Sequence, residues 1–387
     1  VVAELALALM LLVSAGLLAR SVVRLLDVDK GFDANNLLTL EINSTGPKYP
    51  DNASVFAFHD RVRDAVRSLP GVVSVAVVNQ LPLGGNMDMY GVAAQDKPTS
   101  NPEMVPSGDR FVVSADYLKT MRIPVVEGRP FTADDERDTT NLVAMVSQSL
   151  AAKIWGGESA LGKRIRLGGD TRPWRTIIGV TKNVHHQGLD ASATMQFYVP
   201  ERQWFFADDQ EILVVRTQGD PNAVAGAVRR TIRDIEPTQP IVGMSTMDQV
   251  IATSTGQRRL ALVLFGGFAM AALLLSVAGI YGVLAGNVAE RTREIGLRAA
   301  LGATPARILR LVVGQGARLA LVGLGLGVFG ALALTKSLQA MLFGIGPHDP
   351  VTLVAATVLL LATTLVACLV PALRAVRVDP SQAFRND

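Results

Sequence analysis

Hydrophobic positions along this chain follow two different rhythms. Leu5 to Ala19 runs fifteen residues without a charge, and helical spacing continues through Val22, Val23, Leu25 and Leu26. No charge separates Arg259 from Glu290, so Leu260 to Val288 reads as a second long apolar helix. Leu311 to Leu334 is a third, broken only by Gln315 and Arg318, and Val351 to Val370 is a fourth with no charge at all. About 20 apolar residues suffice to cross a bilayer, so the pattern predicts four membrane helices.

Between the first and second of these the rhythm is that of a globular domain. Asn36–Asn43 alternates like a strand, Asn52–Leu69 has helical spacing, and Val72–Val78 is β-branched and apolar. Leu142–Val146 reads as a strand leading into a helix over Ser147–Trp155, and Glu211–Thr217 leads likewise into Ala223–Ile235. The expectation is a mixed α+β domain in two subdomains, divided near Gly84-Gly85 or Gly168-Gly169. The predicted division is therefore 1–26 as the first membrane helix, 27–257 as the inserted domain and 258–387 as a three-helix membrane region.

Start signals sharpen the later helices. Thr304-Pro305 and Asp349-Pro350 each place an N-cap side chain before a proline at the first helical position. Gly282 with Gly286, and Gly323 with Gly327, have the small-xxx-small spacing that lets helix backbones approach in lipid. The alternative is the general enrichment of glycine in membrane helices.

Charge sets the orientation. Arg291, Arg293, Arg298, Arg307 and Arg310 crowd the connection between the second and third helices, and Arg374, Arg377 and Arg385 the C-terminal tail. The loop between the third and fourth offers only Lys336. Basic residues in short loops stay cytoplasmic, which puts the inserted domain outside. Arg20, Arg24, Arg258 and Arg259 at its membrane edges point the other way, but long translocated domains obey the rule poorly.

Composition agrees: 49% of the 387 residues are hydrophobic and only 18% charged, below the about 25% usual for soluble domains. A net charge of +3, with the basic residues dispersed, does not suggest nucleic acid. The one cysteine, Cys368, lies in an apolar run, so no disulfide or thiolate site is expected. The four histidines form no evident ligand set: His185 and His186 would diverge on a strand, and His59 and His348 stand alone. No metal or cofactor is expected. The chain begins Val-Val-Ala-Glu and enters a helix at once, so the natural N-terminus is expected to lie upstream.

Several strings resemble chemistry without carrying it. Gly157-Glu-Ser-Ala-Leu-Gly162-Lys163 matches seven positions of a phosphate-binding loop, but Arg164 stands where a magnesium-ligating hydroxyl is required. It also runs from helix to strand, the reverse of that motif's order, so a tight turn is expected. Asp134-Asp135-Glu136 reads as a solvated turn. Trp155, Trp174 and Trp204 read as core or interface anchors. An anchored ectoenzyme would need a polar catalytic cluster, and neither Gly-x-Ser-x-Gly nor His-Glu-x-x-His occurs.

The most informative stretch is Val288–Gly302. Ile295, Leu297, Ala299 and Leu301 supply apolar contact, and Glu294 pairs with Arg298 at i,i+4. A short amphipathic helix on the cytoplasmic side is expected, either lying on anionic headgroups or docking on a partner. Arg293-Glu-Ile-Gly-Leu-Arg298 with Ala300-Leu-Gly-Ala303 resembles the coupling segment of MacB/FtsX-type ABC transporter permeases. The tail from Pro371 to Arg385, Lys30-Gly-Phe-Asp33, Leu69-Pro-Gly-Val72 and Leu161-Gly-Lys-Arg-Ile165 are similar to further motifs of that family. The resemblance spans nearly the whole chain. It implies a multi-pass protein of the bacterial inner membrane, with a MacB-like periplasmic core domain and an FtsX-like permease domain. It also implies a separate cytoplasmic ABC ATPase as partner, with Arg291, Arg293, Glu294, Ile295, Leu297, Arg298 and Leu301 as the coupling residues. The chain is most similar to a branch of duplicated permeases, which implies a second permease copy or a homodimer. An outer-compartment partner and the lipid bilayer complete the expected contacts.

Overall fold

The computed structural model describes residues 1–98, 105–291, 294, 304–339, 342–346 and 349–376. It divides into two compact units, Val28–Thr255 and, from the two ends of the chain, Val1–Asp27 with Gly256 onward.

Helix α1 (Val2–Leu26) opens the chain. The outer unit follows with β1 (Leu37–Asn43), α2 (Asn52–Arg67) and β2 (Val72–Val78). Asp51 and Ser54 form a capping box that starts α2. Next come β3 (Met89–Ala94), β4 (Ser107–Val113), α3 (Tyr117–Met121), β5 (Val125–Gly128) and α4 (Ala133–Arg137). Then β6 (Val143–Ser147) leads into α5 (Gln148–Trp155), whose first turn Ser147 caps through Leu150 N–H, followed by β7 (Arg164–Leu167), β8 (Trp174–Thr181) and β9 (Gln196–Pro200). A 3-10 turn at Glu201–Gln203 precedes β10 (Gln210–Thr217), α6 (Pro221–Ile235), β11 (Val242–Thr246) and α7 (Met247–Ser254).

All eleven strands join one sheet with two different parts. β11, β1, β10 and β2 form an open antiparallel run. On one face Leu38, Leu40, Ile42, Val75, Val77, Leu213 and Val215 pack with Phe58 and Val62 of α2 and Val228 and Ile232 of α6. The other part is a closed ring in which β4 pairs β3, β3 pairs β7, β7 pairs β8, β8 pairs β6, β6 pairs β9 and β9 returns to β4. Val92, Val112, Val146, Ile165, Ile177 and Phe197, one from each ring strand, meet in a second apolar cluster.

Two of the expected details are corrected here. Gly168-Gly169 is no boundary, because it turns β7 into β8 within the ring. Asp134-Asp135-Glu136 is not a solvated turn but most of α4. Its Glu136 is buried, accepting the Ala115 N–H at 2.9 Å and ion-paired to Arg63 at 2.9 Å.

In the membrane unit α1 is joined by α8 (Gly256–Glu290), α9 (Pro305–Leu338) and α10 (Pro350–Val376). All four are long and apolar enough to span a bilayer. At about 1.5 Å per residue, the 35 residues of α8 and 34 of α9 exceed the about 30 Å hydrocarbon thickness by roughly 20 Å. Both helices are therefore longer than an untilted crossing of the lipid core needs. Leu5, Leu9, Val13 and Leu17 of α1 lie at the centre of the unit, with Ile280, Leu284, Leu324, Leu360 and Cys368 around them.

Candidate functional site

Of the predicted coupling residues, Arg291 and Glu294 are described, just past the end of α8. Arg291 follows its last turn, exposed, with its N–H bonded to Asn287 O at 3.2 Å. Glu294 is helical and exposed. Arg293, Ile295, Leu297, Arg298 and Leu301 lie outside the described residues, as do Arg377 and Arg385 of the tail and His348. The chain resumes at Thr304, whose carbonyl accepts the Arg307 N–H at 2.9 Å as α9 begins. About a dozen residues of chain connect the described ends of α8 and α9.

The four glycines chosen for helix packing divide in two. A Cβ on Gly323 would lie 2.7 Å from Leu5 Cβ and 3.2 Å from Val2 O; one on Gly327 would lie 2.9 Å from Leu9 Cβ and 3.1 Å from Ala6 Cα. Both let α9 meet α1 backbone to backbone. A Cβ on Gly282 or Gly286 would have nothing within 4 Å among the described residues. Spacing did not single out Gly316, Gly330 or Gly279, where a Cβ would lie 2.5 Å from Cys368 Sγ, 1.9 Å from Met10 Cε and 2.5 Å from Glu4 Oε2 respectively. Gly316, Gly323, Gly327 and Gly330 recur at steps of seven, four and three, a helical stripe that the four-residue spacing alone did not expose.

Of the four arginines that run against the charge rule, Arg20 pairs with Asp349 and Arg24 donates to Gly344 O, both in the short connection between α9 and α10.

The family-like motifs of the outer unit have physical reasons. Gly31 has φ +82, and a Cβ there would sit 2.0 Å from Asn183 O, so only glycine fits. Gly162 N–H donates to Ile177 O at 2.9 Å, closing the turn into β7. In the phosphate-loop look-alike Lys163 Nζ is engaged by Glu158 at 2.8 Å and Asp96 at 3.4 Å. Helix, turn and strand follow in that order. Trp155 and Trp204 are buried in the ring cluster, Trp155 donating to Asp96.

A polar cavity of about 500 Å³ opens between the two parts of the sheet, lined by Glu41, Gln80, Asp88, Arg110 and Asp208 among others. Arg110 is held by Asp88 at 2.5 Å and Asp208 at 2.6 Å and lies 5.0 Å from the Trp204 ring centre. Burial pushes the Asp208 carboxyl up, against the pull of Arg110.

The histidines also depart from expectation. His185 and His186 lie in the loop after β8, not on a strand. His59 does not stand alone: its Nδ1 lies 2.7 Å from Glu201 Oε1 and 3.4 Å from Glu211 Oε2, in a fully buried group. No local spacing could reveal it, because the three come from α2, the 3-10 turn and β10.

Comparison with known proteins fits this layout. The family model for the MacB-like periplasmic core domain matches residues 5–235, and that for the FtsX-like permease C-terminal region matches 266–380. The chain is 27% identical over 230 residues to the uncharacterized ABC transporter permease YknZ of Bacillus subtilis, covering 57% of this chain and 56% of that protein. It is 27% identical over 286 residues to a probable export ATP-binding/permease protein MacB of Pseudomonas entomophila, covering 71% and 42%. The crystal structure of the periplasmic region of MacB from Actinobacillus actinomycetemcomitans is similar at 14% identity and a TM-score of 0.40, covering 59% of this chain and 97% of that one. The chain spans about half the length of the curated relatives it matches. With the core-domain match running from inside α1 to the end of α6, and the permease match taking up the remaining helices, this multi-pass membrane chain belongs to the family of ABC transporter permeases built on a MacB-like periplasmic core domain.

Proposed function

We propose that the chain transmits ATP-driven motion from a separate cytoplasmic ATPase, through residues 288–302 and the membrane helices, to the outer unit. The observation that carries this reading is the joint match of a MacB-like core domain and an FtsX-like permease region on one chain. Geometry supports it: α8 and α9 are each longer than an untilted crossing needs and are consecutive in the chain, and α9 packs closely on α1 at Gly323 and Gly327. A helix pair that moves as one body carries displacement along its length rather than dissipating it in loose packing.

Transport through the centre of the helices has less support. The second and fourth spans contain no Asp, Glu, Lys or Arg, whereas solute routes through membranes usually show ionisable groups. The same fact favours a second reading, a non-transporting regulator that binds an outer partner such as a cell-wall hydrolase. Cargo accumulation in vesicles, with and without the ATPase, separates the two.

The test of coupling uses the permease reconstituted with the ATPase that co-purifies with it. Glu294→Lys reverses one charge of the i,i+4 pair expected with Arg298, worth about 0.3–0.5 kcal/mol locally, and Leu301→Asp charges the proposed docking face. Both variants should insert and melt like the parent yet lose stimulation of ATP hydrolysis. Normal stimulation in both would leave the segment as a helix resting on headgroups, which added positive charge would favour.

A further inference from the structure

We propose that His59, Glu201 and Glu211 bind one divalent transition-metal ion in the outer unit. Their candidate donor atoms all lie within 4.8 Å of one another. Donors around an ion at about 2.0–2.2 Å stand about 2.8–3.6 Å apart for octahedral to tetrahedral angles. Of the separations from His59 Nδ1, 3.4 Å to Glu211 falls inside that range and 2.7 Å to Glu201 just below it.

The imidazole is held for the purpose. His59 Nε2 lies 2.7 Å from Ser44 Oγ, and Ser44 N–H is tied to Asp209 O at 2.7 Å. With the Nε2 proton donated to Ser44, Nδ1 presents its lone pair towards the two carboxylates, the usual way an outer group orients a metal-binding histidine.

Burial provides the independent observation. The Glu211 side chain is 1% exposed, and neither of its oxygens has a hydrogen-bond partner among the described residues. A buried carboxylate left in this way is costly.

Charge points the same way. Of the neighbouring guanidiniums, Arg63 is taken by Asp60 and Glu136, Arg202 by Asp60, and Arg110 by Asp88 and Asp208. Glu201 and Glu211 are left with a single imidazole between them. One divalent ion with a neutral histidine cancels both carboxylates. An imidazole nitrogen with two carboxylate oxygens suits zinc, manganese or ferrous iron, rather than calcium, which seeks six to eight oxygens. The ion would clamp α2 and the start of β10, from the open sheet, to the turn that leaves β9 of the ring.

The experiment uses the full chain, purified in detergent without a histidine tag, stripped with chelator and equilibrated with Zn²⁺, Mn²⁺ or Mg²⁺. Bound metal is counted by mass spectrometry, and Co²⁺ substitution is followed by its visible absorption. One Zn²⁺ or Mn²⁺ per chain is expected, with a rise in Tm and no comparable uptake of Mg²⁺. Glu211→Gln preserves shape and should weaken binding by more than about 100-fold, beyond what loss of an outer-shell partner causes, while its metal-free Tm stays near the stripped parent's. Glu201→Gln is the second variant should the first fail to fold. A parent chain that takes up no ion at micromolar free Zn²⁺ and Mn²⁺ overturns the site. So does equal uptake by a folded Gln variant, which places the ion elsewhere.

Discussion

The outer and membrane units bury polar groups in opposite ways. In the outer unit, several buried charges are paired with partners from distant parts of the chain: Arg110 with Asp88 and Asp208, Arg63 with Glu136. In the membrane unit the buried polar residues are mostly hydroxyls bonded to their own helix, as Ser14 is to Met10 O at 2.8 Å and Ser276 to Ala272 O at 2.8 Å. Its one long-range charge pair among the described residues, Arg20 with Asp349, sits at the bilayer edge. Water drives the outer unit together by apolar burial, and the core so formed can hold paired charges. Lipid offers no such drive, so the membrane helices associate through close approach at small residues. Deleting a charge should therefore damage the first unit most, and adding a methyl group the second.

The largest effect is expected from Arg110→Ala. It leaves Asp208 buried without its partner, and breaking such a pair costs about 3–5 kcal/mol. The three tryptophans all lie in the outer unit, so fluorescence-detected urea unfolding reads this unit alone. A midpoint unchanged from the parent would show that the pair is idle.

Next is Gly327→Leu. Its Cβ meets Leu9 and the Ala6 backbone, so α9 and α1 must separate, at about 1–3 kcal/mol. The sibling Gly286→Leu should be neutral within one chain, because nothing among the described residues lies within 4 Å of a Cβ there. Loss of helicity on titration with SDS compares the two; equal behaviour would dissolve the distinction between packed and open glycines.

A smaller effect is expected at Asp135, whose carboxyl the Arg129 guanidinium and the Thr132 hydroxyl and N–H hold down at about 2. A carboxylate with a depressed folded pKa contributes stability that is complete above its unfolded value near 3.9 and disappears as pH falls through about 2. Asp135→Asn should therefore lower outer-unit stability by about 1 kcal/mol or less at neutral pH, with the gap closing in acid. A gap that persists below pH 2 would assign the effect to something other than this charge.

How far the sequence could be read follows the same divide. The four spans and strands such as β1, β2 and β10 were visible because their signal is local periodicity, and Thr304-Pro305 and Asp349-Pro350 marked two helix starts. Ring closure was not visible. It depends on the parallel pairings of β4 with β9 and β6 with β8, between segments far apart in the chain. The same distance concealed the burial of Glu136 and the meeting of His59 with Glu201 and Glu211. The stripe through Gly316 and Gly330 was legible in principle, but small residues recur too often in membrane helices for spacing to tell packed from open ones. Gly282 and Gly286 show as much.

The most direct measurement of the proposed transmission is a spin-label distance between the two units. In a Cys368→Ala background, labels at Met87→Cys, two-thirds exposed in the outer unit, and Gly346→Cys, in open space between α9 and α10, would be followed by pulsed electron resonance. The reconstituted complex with its ATPase would be compared nucleotide-free and trapped with ATP. The distance distribution should shift on trapping in the parent and remain unshifted when Leu301→Asp is added. A parent distribution identical in both states would contradict the transmission of ATP-driven motion to the outer unit.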